Sequence, residues 1–190
     1  AEIKSLATGN PYIREKMDLD IQVSKLKLMK ANHTSQKYHL ETDIAKNYPV
    51  QIAAQKEQIA GLRADREAVK PILEEKEKDN FSMMIGGKTY TDRKEAGTAI
   101  LAACAGLKAV KSNGQIGEFH GFSLNASYDS FYQTYKLTIK RQCSYQIEIG
   151  KDVLGNLQRI SNALTGIEKR LTEAEQKMEN LLSQLATAQE

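Results

Sequence analysis

Two different rhythms organise the apolar positions of this chain. Between Leu157 and Leu185 they recur at alternating steps of three and four, so Leu157, Ile160, Leu164, Ile167, Leu171, Ala174, Met178, Leu181 and Leu185 share one narrow stripe. A stripe that narrow predicts a helix seeking a partner helix, whereas a broad apolar face would seek a globular core. A second seam at the same spacing runs through Ile52, Gln55, Ile59, Leu62, Arg66, Val69 and Leu73. Its two polar members, Gln55 and Arg66, are of the kind that sets register on such seams. Pro71 within it predicts a kink or an early stop, and the charged run Glu74 to Asp79 reads as a solvated last turn.

Upstream, Gly9-Asn10-Pro11 reads as a helix stop followed by a start, with Asn10 as cap and Pro11 at the first helical position. A helix then runs to about Lys46, with Leu19, Val23, Leu26, Leu40 and Ile44 turned inward and a polar, weaker stretch from Lys30 to Lys37. Asn47-Tyr48-Pro49 predicts the start of a new helix. From Phe81 the period falls to two. Phe81 to Ile85, Gly86-Gly87 and Lys88 to Thr91 predict a hairpin, since two glycines supply the positive φ of a two-residue turn. Asp92 or Thr91 caps a helix carrying Ala96, Ala99, Ile100, Ala103 and Leu107, closed near Ser112-Asn113-Gly114. Three strands follow, roughly 116–126, 131–140 and 144–149. In the second, Phe131, Gln133, Tyr135, Leu137 and Ile139 share one face and Tyr132, Thr134, Lys136, Thr138 and Lys140 the other, which suits a sheet with one buried and one wet side. In the third, Tyr145, Ile147 and Ile149 point inward. The loop from Gly150 to Asn156 precedes the heptad helix.

The expected fold class is therefore α+β: an antiparallel helical coiled-coil stalk of two or three long helices, with a small α+β head inserted between them. Residues 1–79 form the first part of the stalk, 80–150 the head, and 151–190 the returning helix. Thirty residues of helix span about 45 Å. Two helices alone would be marginal, because burial of one seam residue yields about 2 kcal/mol while ordering each backbone residue costs about 1–2 kcal/mol. The segment from Pro11 to Lys46 is the natural third helix.

Composition refines this little. The formal charge of +3 is too small to argue for nucleic acid by itself, and apolar residues at 41% suit two-sided helices better than a thick core. The excess is local: residues 80–150 carry 8 basic against 5 acidic side chains. Two cysteines, Cys104 and Cys143, stand far apart without a Cys-x-x-Cys, which points to a reducing cytoplasm. No signal peptide is evident, and no apolar run approaches the roughly 18 residues of a membrane span, so no membrane partner is expected. The chain opens at Ala1 without an initiator Met, which reads as a piece of something longer or as Met removal before a small residue.

Catalytic signatures are missing from the spacing. Ile85-Gly86-Gly87-Lys88-Thr89 looks superficially like a phosphate-binding P-loop, but Ser82 stands where the first glycine belongs and a strand follows instead of a helix. Asn10-Pro11-Tyr12 lacks the second proline of the Asn-Pro-Pro-Tyr motif with which adenine methyltransferases grip an extruded base. His33, His39 and His120 have no metal-ligand spacing, and no Ser-His-Asp or Cys-His arrangement is discernible. The carboxylate pair Glu74-Glu75 lies in a charge run. No catalytic residue, metal or cofactor is expected. One constellation remains: Phe119, Phe122, Tyr128, Phe131, Tyr132, Tyr135 and Tyr145, interleaved with Lys136, Lys140 and Arg141. Exposed aromatics beside cations on a sheet stack bases and hold phosphates; the plainer alternative is a small core with lysines for solubility and edge protection.

Two stretches resemble a known family. Ala1-Glu2-Ile3-Lys4-Ser5-Leu6-Ala7-Thr8-Gly9-Asn10-Pro11, continuing through Glu15-Lys16-Met17-Asp18-Leu19-Asp20 to Val23-Ser24-Lys25-Leu26-Lys27, resembles a segment just after the helicase core in very large bacterial proteins. Those proteins, carried by phages, plasmids and conjugative elements, join an adenine-specific DNA methyltransferase to a Swi/Snf-type helicase. Tyr90-Thr91-Asp92-Arg93-Lys94-Glu95-Ala96-Gly97, and Ile116-Gly117-Glu118 with Gly121-Phe122, are similar to their C-terminal region. The resemblance implies a non-catalytic accessory module of a DNA-modifying protein that contacts DNA or other domains of the parent. It carries over no functional residue, since no helicase or methyltransferase motif lies in the chain. For a DNA-contacting head, the expected phosphate ligands are Lys136, Lys140, Arg141, Arg93 and Lys94, with Tyr132 for stacking. The alternative is an oligomerisation or docking module working through the heptad helix.

Overall fold

The computed structural model describes residues 10–77, 81–109 and 112–189, with 74–77 as backbone alone. The expected helix stop at Gly9, the first part of the family resemblance and the solvated run after Leu73 therefore lie outside the described side chains. The chain is α+β, as expected. In order it forms α1 (Pro11–Thr42), a π-helical turn (Asp43–Asn47), α2 (Tyr48–Glu77), β1 (Met83–Ile85), β2 (Lys88–Tyr90), α3 (Arg93–Ala109), β3 (Gly114–Phe119), β4 (Phe122–Asp129), β5 (Thr134–Lys140), β6 (Ser144–Ile149), α4 (Val153–Thr165) and α5 (Ile167–Gln189). Contacts divide it into two units, one made of the segments ending at Ile52 and beginning at Leu181, the other of Ala53–Asn180.

In the first unit, Asn10 caps α1, its Oδ1 accepting from the Tyr12 amide at 3.1 Å, and Pro11 opens the helix. The expected inward face is not found. No residue of α1 is buried, and Leu19, Val23, Leu26 and Leu40 are all at least 45% exposed. The helix has no single apolar face to bury, because Ile21, Leu28 and Met29 lie off the Leu19–Leu26 stripe and are exposed as well. Nor does a new helix begin at Asn47. The Tyr48 amide reaches back five residues to the Asp43 carbonyl, and helix continues on both sides. Pro49 cannot donate to the preceding turn, and a widened turn beside it absorbs the missing bond.

In the second unit α2 passes Pro71 and continues to Glu77. Val69 and Ile72 are buried on either side of that proline, and packing outweighs a propensity cost of about 3 kcal/mol. The buried positions of α2 are Gln55, Ile59, Leu62, Asp65, Val69 and Ile72. The expected seam thus holds at Gln55, Ile59, Leu62 and Val69, while Asp65 and Ile72 turn inward where Arg66 and Leu73 were expected. A straight helix drifts against a strict seven-residue repeat, and Asp65 has partners waiting inside. Opposite, Ile160, Leu164, Ile167, Leu171 and Ala174 are buried as expected. The Gln55 side-chain amide donates to the Ala174 carbonyl at 2.9 Å, and Arg66 pairs with Glu168 at 3.6 Å, so α2 and α5 run in opposite directions here. The heptad helix is two helices in sequence, meeting at Gly166, without loss of the apolar stripe.

The six strands form one antiparallel sheet in the order β2-β1-β3-β4-β5-β6. Gly86 (φ 58°) and Gly87 (φ 80°) make the expected tight turn. The expected strand over 116–126 is instead a hairpin, β3 and β4, turning at His120-Gly121 with φ of 48° and 78°. A histidine before a lone glycine is a weak turn signal, which is why periodicity passed over it. One face, with Phe122, Leu124, Ala126, Leu137, Ile139 and Tyr145, is buried; the other carries Ser123, Asn125, Ser127, Lys136 and Thr138. Asp92 caps α3 through the Glu95 amide at 2.9 Å. Buried Asn156 closes the β6–α4 loop, accepting from the Gly150 amide and donating to the Gly150 carbonyl, both at 2.8 Å.

α3 approaches the start of α4 at Gly97, where a Cβ would lie 2.6 Å from Val153 Cγ1 and 2.7 Å from its carbonyl oxygen. Gly106, on the same helix, has nothing within 4 Å of that position. Opposite signs are expected in urea titrations. Gly106→Ala stabilises by about 0.5–1 kcal/mol through helix propensity, whereas Gly97→Ala destabilises by about 1–3 kcal/mol through overpacking. Equal effects at the two sites would contradict the close approach.

Candidate functional site

Among the described residues, one buried carboxylate that no sequence pattern singles out has every oxygen bonded. Asp65 sits on α2 with no exposed surface. Its Oδ1 accepts from the Gln142 amide at 3.0 Å, and its Oδ2 from the Cys143 amide at 2.8 Å and the Tyr145 hydroxyl at 2.8 Å. Arg141 adds an Nη1 contact at 3.4 Å and also donates to the Ala64 carbonyl at 3.1 Å. The β5–β6 turn thus closes on the carboxylate with two backbone amides, one hydroxyl and one guanidinium. Burial first, then the bond to Asp65, pushes the Tyr145 hydroxyl well above its ordinary range. Burial and the same carboxylate raise the Cys143 thiol, and burial alone raises Cys104 to about 11. Both thiols are therefore protonated at neutral pH, the opposite of an activated nucleophile.

A second cluster gathers where β4 turns into β5. Phe131 and Tyr132 occupy the turn with 84% and 68% of their surface exposed, their rings 4.8 Å apart and edge to face. Tyr132 points outward as expected. Phe131 does not point inward, because strand alternation ends at Asp129 and resumes only at Thr134, with Gln133 in the left-handed region at φ 53°. Asp129 holds this turn: its Oδ1 accepts from the amides of Phe131 and Tyr132, each at 3.1 Å, and its Oδ2 from Lys136 Nζ at 2.8 Å. The bond from Lys136, followed by that from the Tyr132 amide, holds the Asp129 carboxyl below its usual range, and Asp129 in turn raises Lys136. Lys136 Nζ also lies 5.9 Å from the Tyr132 ring centre. Beside them the rings of Tyr128 and Tyr135 meet across the strand pair at 5.1 Å, tilted by 55°, with Lys108 from the end of α3 at 4.3 Å over Tyr128.

Of the six residues singled out for nucleic acid, the structure brings only Lys136 and Tyr132 together. Lys140 is exposed at the far end of β5, about 20 Å along the strand. Arg141 is committed to Asp65 and Ala64. Arg93 and Lys94 open α3, with Arg93 lying over the Phe81 ring at 5.6 Å. Lys108 and Phe131 join the cluster instead. Lys108 had no signal, since it sits in a separate helix, 20 residues before the first aromatic of the cluster, Tyr128; Phe131 had one, the Asp129-Ser130 turn pair preceding it.

Among the described residues no group of three His, Cys, Asp or Glu is placed to hold a metal ion, and no helix is long and apolar enough to cross a membrane. Comparison with protein-family models, with curated proteins and with solved structures finds no match.

Removing the buried carboxylate leaves two amides and a hydroxyl unpaired and Arg141 with the Ala64 carbonyl as its remaining partner. Asp65→Ala is expected to lower the unfolding free energy by about 3 kcal/mol or more, and Tyr145→Phe by about 1–2 kcal/mol. Urea denaturation followed by circular dichroism measures both. A loss below about 1 kcal/mol for Asp65→Ala would remove Asp65 from its anchoring role.

Proposed function

We propose that this chain is a non-catalytic positioning module of a DNA-modifying protein, of the methyltransferase–helicase kind its sequence resembles. In this reading α2 and α5 form an antiparallel coiled-coil stalk, and the α+β segment between them is a head. The buried seam, the Gln55–Ala174 bond and the Arg63–Glu175 and Arg66–Glu168 pairs support a stalk of that geometry. The head's contact is the β4–β5 turn. The observation that carries this is the exposure of two adjacent aromatic rings on a turn fixed by Asp129, with Lys136 and Lys108 beside them. Exposed rings held rigid offer stacking to unpaired bases at little ordering cost, and the flanking ammonium groups take the phosphates.

Few cations are involved, so the affinity should be modest and its salt dependence shallow. With two to three phosphates engaged, log K against log salt should slope at about −1.4 to −2 for single strands. Fluorescence anisotropy with a labelled single-stranded oligonucleotide and the whole chain, from 25 to 200 mM salt, reads this. Phe131→Ala with Tyr132→Ala should weaken binding tenfold or more, and a duplex of the same sequence should bind less well. Absence of any salt-dependent affinity would move the head's role to protein contact.

A second reading has its own observation. α1 carries Leu19, Leu26 and Leu28 more than half exposed and buries nothing. As an oligomerisation or docking helix it would find its partner outside the chain. Sedimentation equilibrium over a wide concentration range distinguishes the two, since self-association through α1 predicts a mass that rises with concentration and falls back in Leu19→Glu/Leu26→Glu.

A further inference from the structure

The unit Ala53–Asn180 encloses a cavity of about 330 Å³ beside the start of α3. Its floor is buried and apolar, built from Val69, Met83, Phe119, Ile160 and Leu164. Leu73 and Leu154 line it too, yet are 41% and 54% exposed, so apolar surface is left in water at its mouth. The volume falls at the low end of the about 300–1,000 Å³ typical of small-molecule sites and suits a ligand of on the order of ten non-hydrogen atoms.

Its polarity narrows the ligand. Arg93 is the single charged group among the described lining residues, and it makes no ion pair with any described residue. Its guanidinium rests 5.6 Å over the Phe81 ring, and Phe81 lies 6.0 Å from Phe119, so an aromatic wall positions the cation. Ser161 lines the same space with a hydroxyl that no described residue engages. We propose that this cavity binds a small amphiphilic monocarboxylate, an aliphatic or aryl-aliphatic acid whose carboxylate meets Arg93 and Ser161 and whose body lies on Phe119, Met83 and Ile160. A charge-assisted pair at a half-dry mouth favours the anion over a neutral chain of equal length, and an amine meets like charge.

Decanoate, kept below its micelle concentration, is the probe, and methionine methyl resonances of the whole chain are the readout. Met83 lies in the floor, whereas Met17, Met29, Met84 and Met178 do not line the cavity, Met84 pointing to the opposite, exposed side of β1. A saturable shift of the Met83 methyl alone is expected. Arg93→Gln should weaken decanoate about tenfold while leaving 1-decanol unchanged. Ser161→Phe should fill the space and abolish both, with the far-ultraviolet spectrum retained. Shifts spread over all the methionines, equal affinity for decanoate, decanol and decylamine, or unaltered decanoate affinity in Arg93→Gln would each overturn the proposal. The Met83 and Arg93 results stand even if Ser161→Phe fails to fold, and neither depends on nucleic-acid binding by the β4–β5 turn.

Discussion

The buried carboxylate of Asp65 joins the helical and β parts of the unit Ala53–Asn180. An anion with no exposed surface carries a large desolvation cost, which falls only when every lone pair is met. Here the β5–β6 turn meets them with the amides of Gln142 and Cys143, while Tyr145 and Arg141 supply the rest. Those donors exist in that arrangement only when the hairpin is formed and seated on α2. The interaction is therefore a condition on the whole fold: the helix cannot slide by a residue without orphaning four donors. That explains why Asp65, and not Arg66, takes the inward position at this point of α2. Asp65 and Ile72 turn inward, and Leu73 is left 41% exposed at the mouth of the cavity.

A parallel economy governs the β4–β5 turn. Asp129 is drawn on three times, by two backbone amides and by Lys136. The turn is thereby fixed in a shape that holds two large rings in water, where nothing apolar rewards them. Rigid exposed rings lose little further entropy on binding. The same carboxylate reduces the local positive charge, so any anion this turn meets is held more by stacking than by charge. The charge of the segment 80–150 is thus a poor guide to where a contact would lie. Arg141, one of the cations expected to face a phosphate, is occupied inside the fold, and Lys108, from a distant helix, stands over Tyr128.

Much of the architecture was legible because it follows from local rules. The stripe from Leu157 to Ala174, the Gly86-Gly87 turn, the Asp92 cap and the alternation of β5 and β6 each rest on residues within one element. Other features were not, and each has a physical reason. The inward face expected of α1 has no structural counterpart, since apolar residues scattered around a helix look periodic in part whatever they face. Pro49 and Pro71 read as boundaries, but a π turn at one and buried neighbours at the other keep the helix going. Phe131 was assigned to the buried face by extending strand alternation across a turn where it does not apply.

What the sequence determined by itself is the α+β class, the broad order of helical and β segments, and the buried side of β5 and β6, because periods of 2 and 3.6 residues are properties of the backbone. What only the tertiary structure decided is which polar groups meet. Asp65 reads in sequence as one more acid on a charged helix, Arg141 as a free cation and Phe131 as core. Their roles come from partners 76 to 80 residues away or from the geometry of a single turn. Hydrogen bonds and ion pairs depend on distance in space to within a few tenths of an ångström, and sequence spacing carries no such information once the chain has folded back on itself.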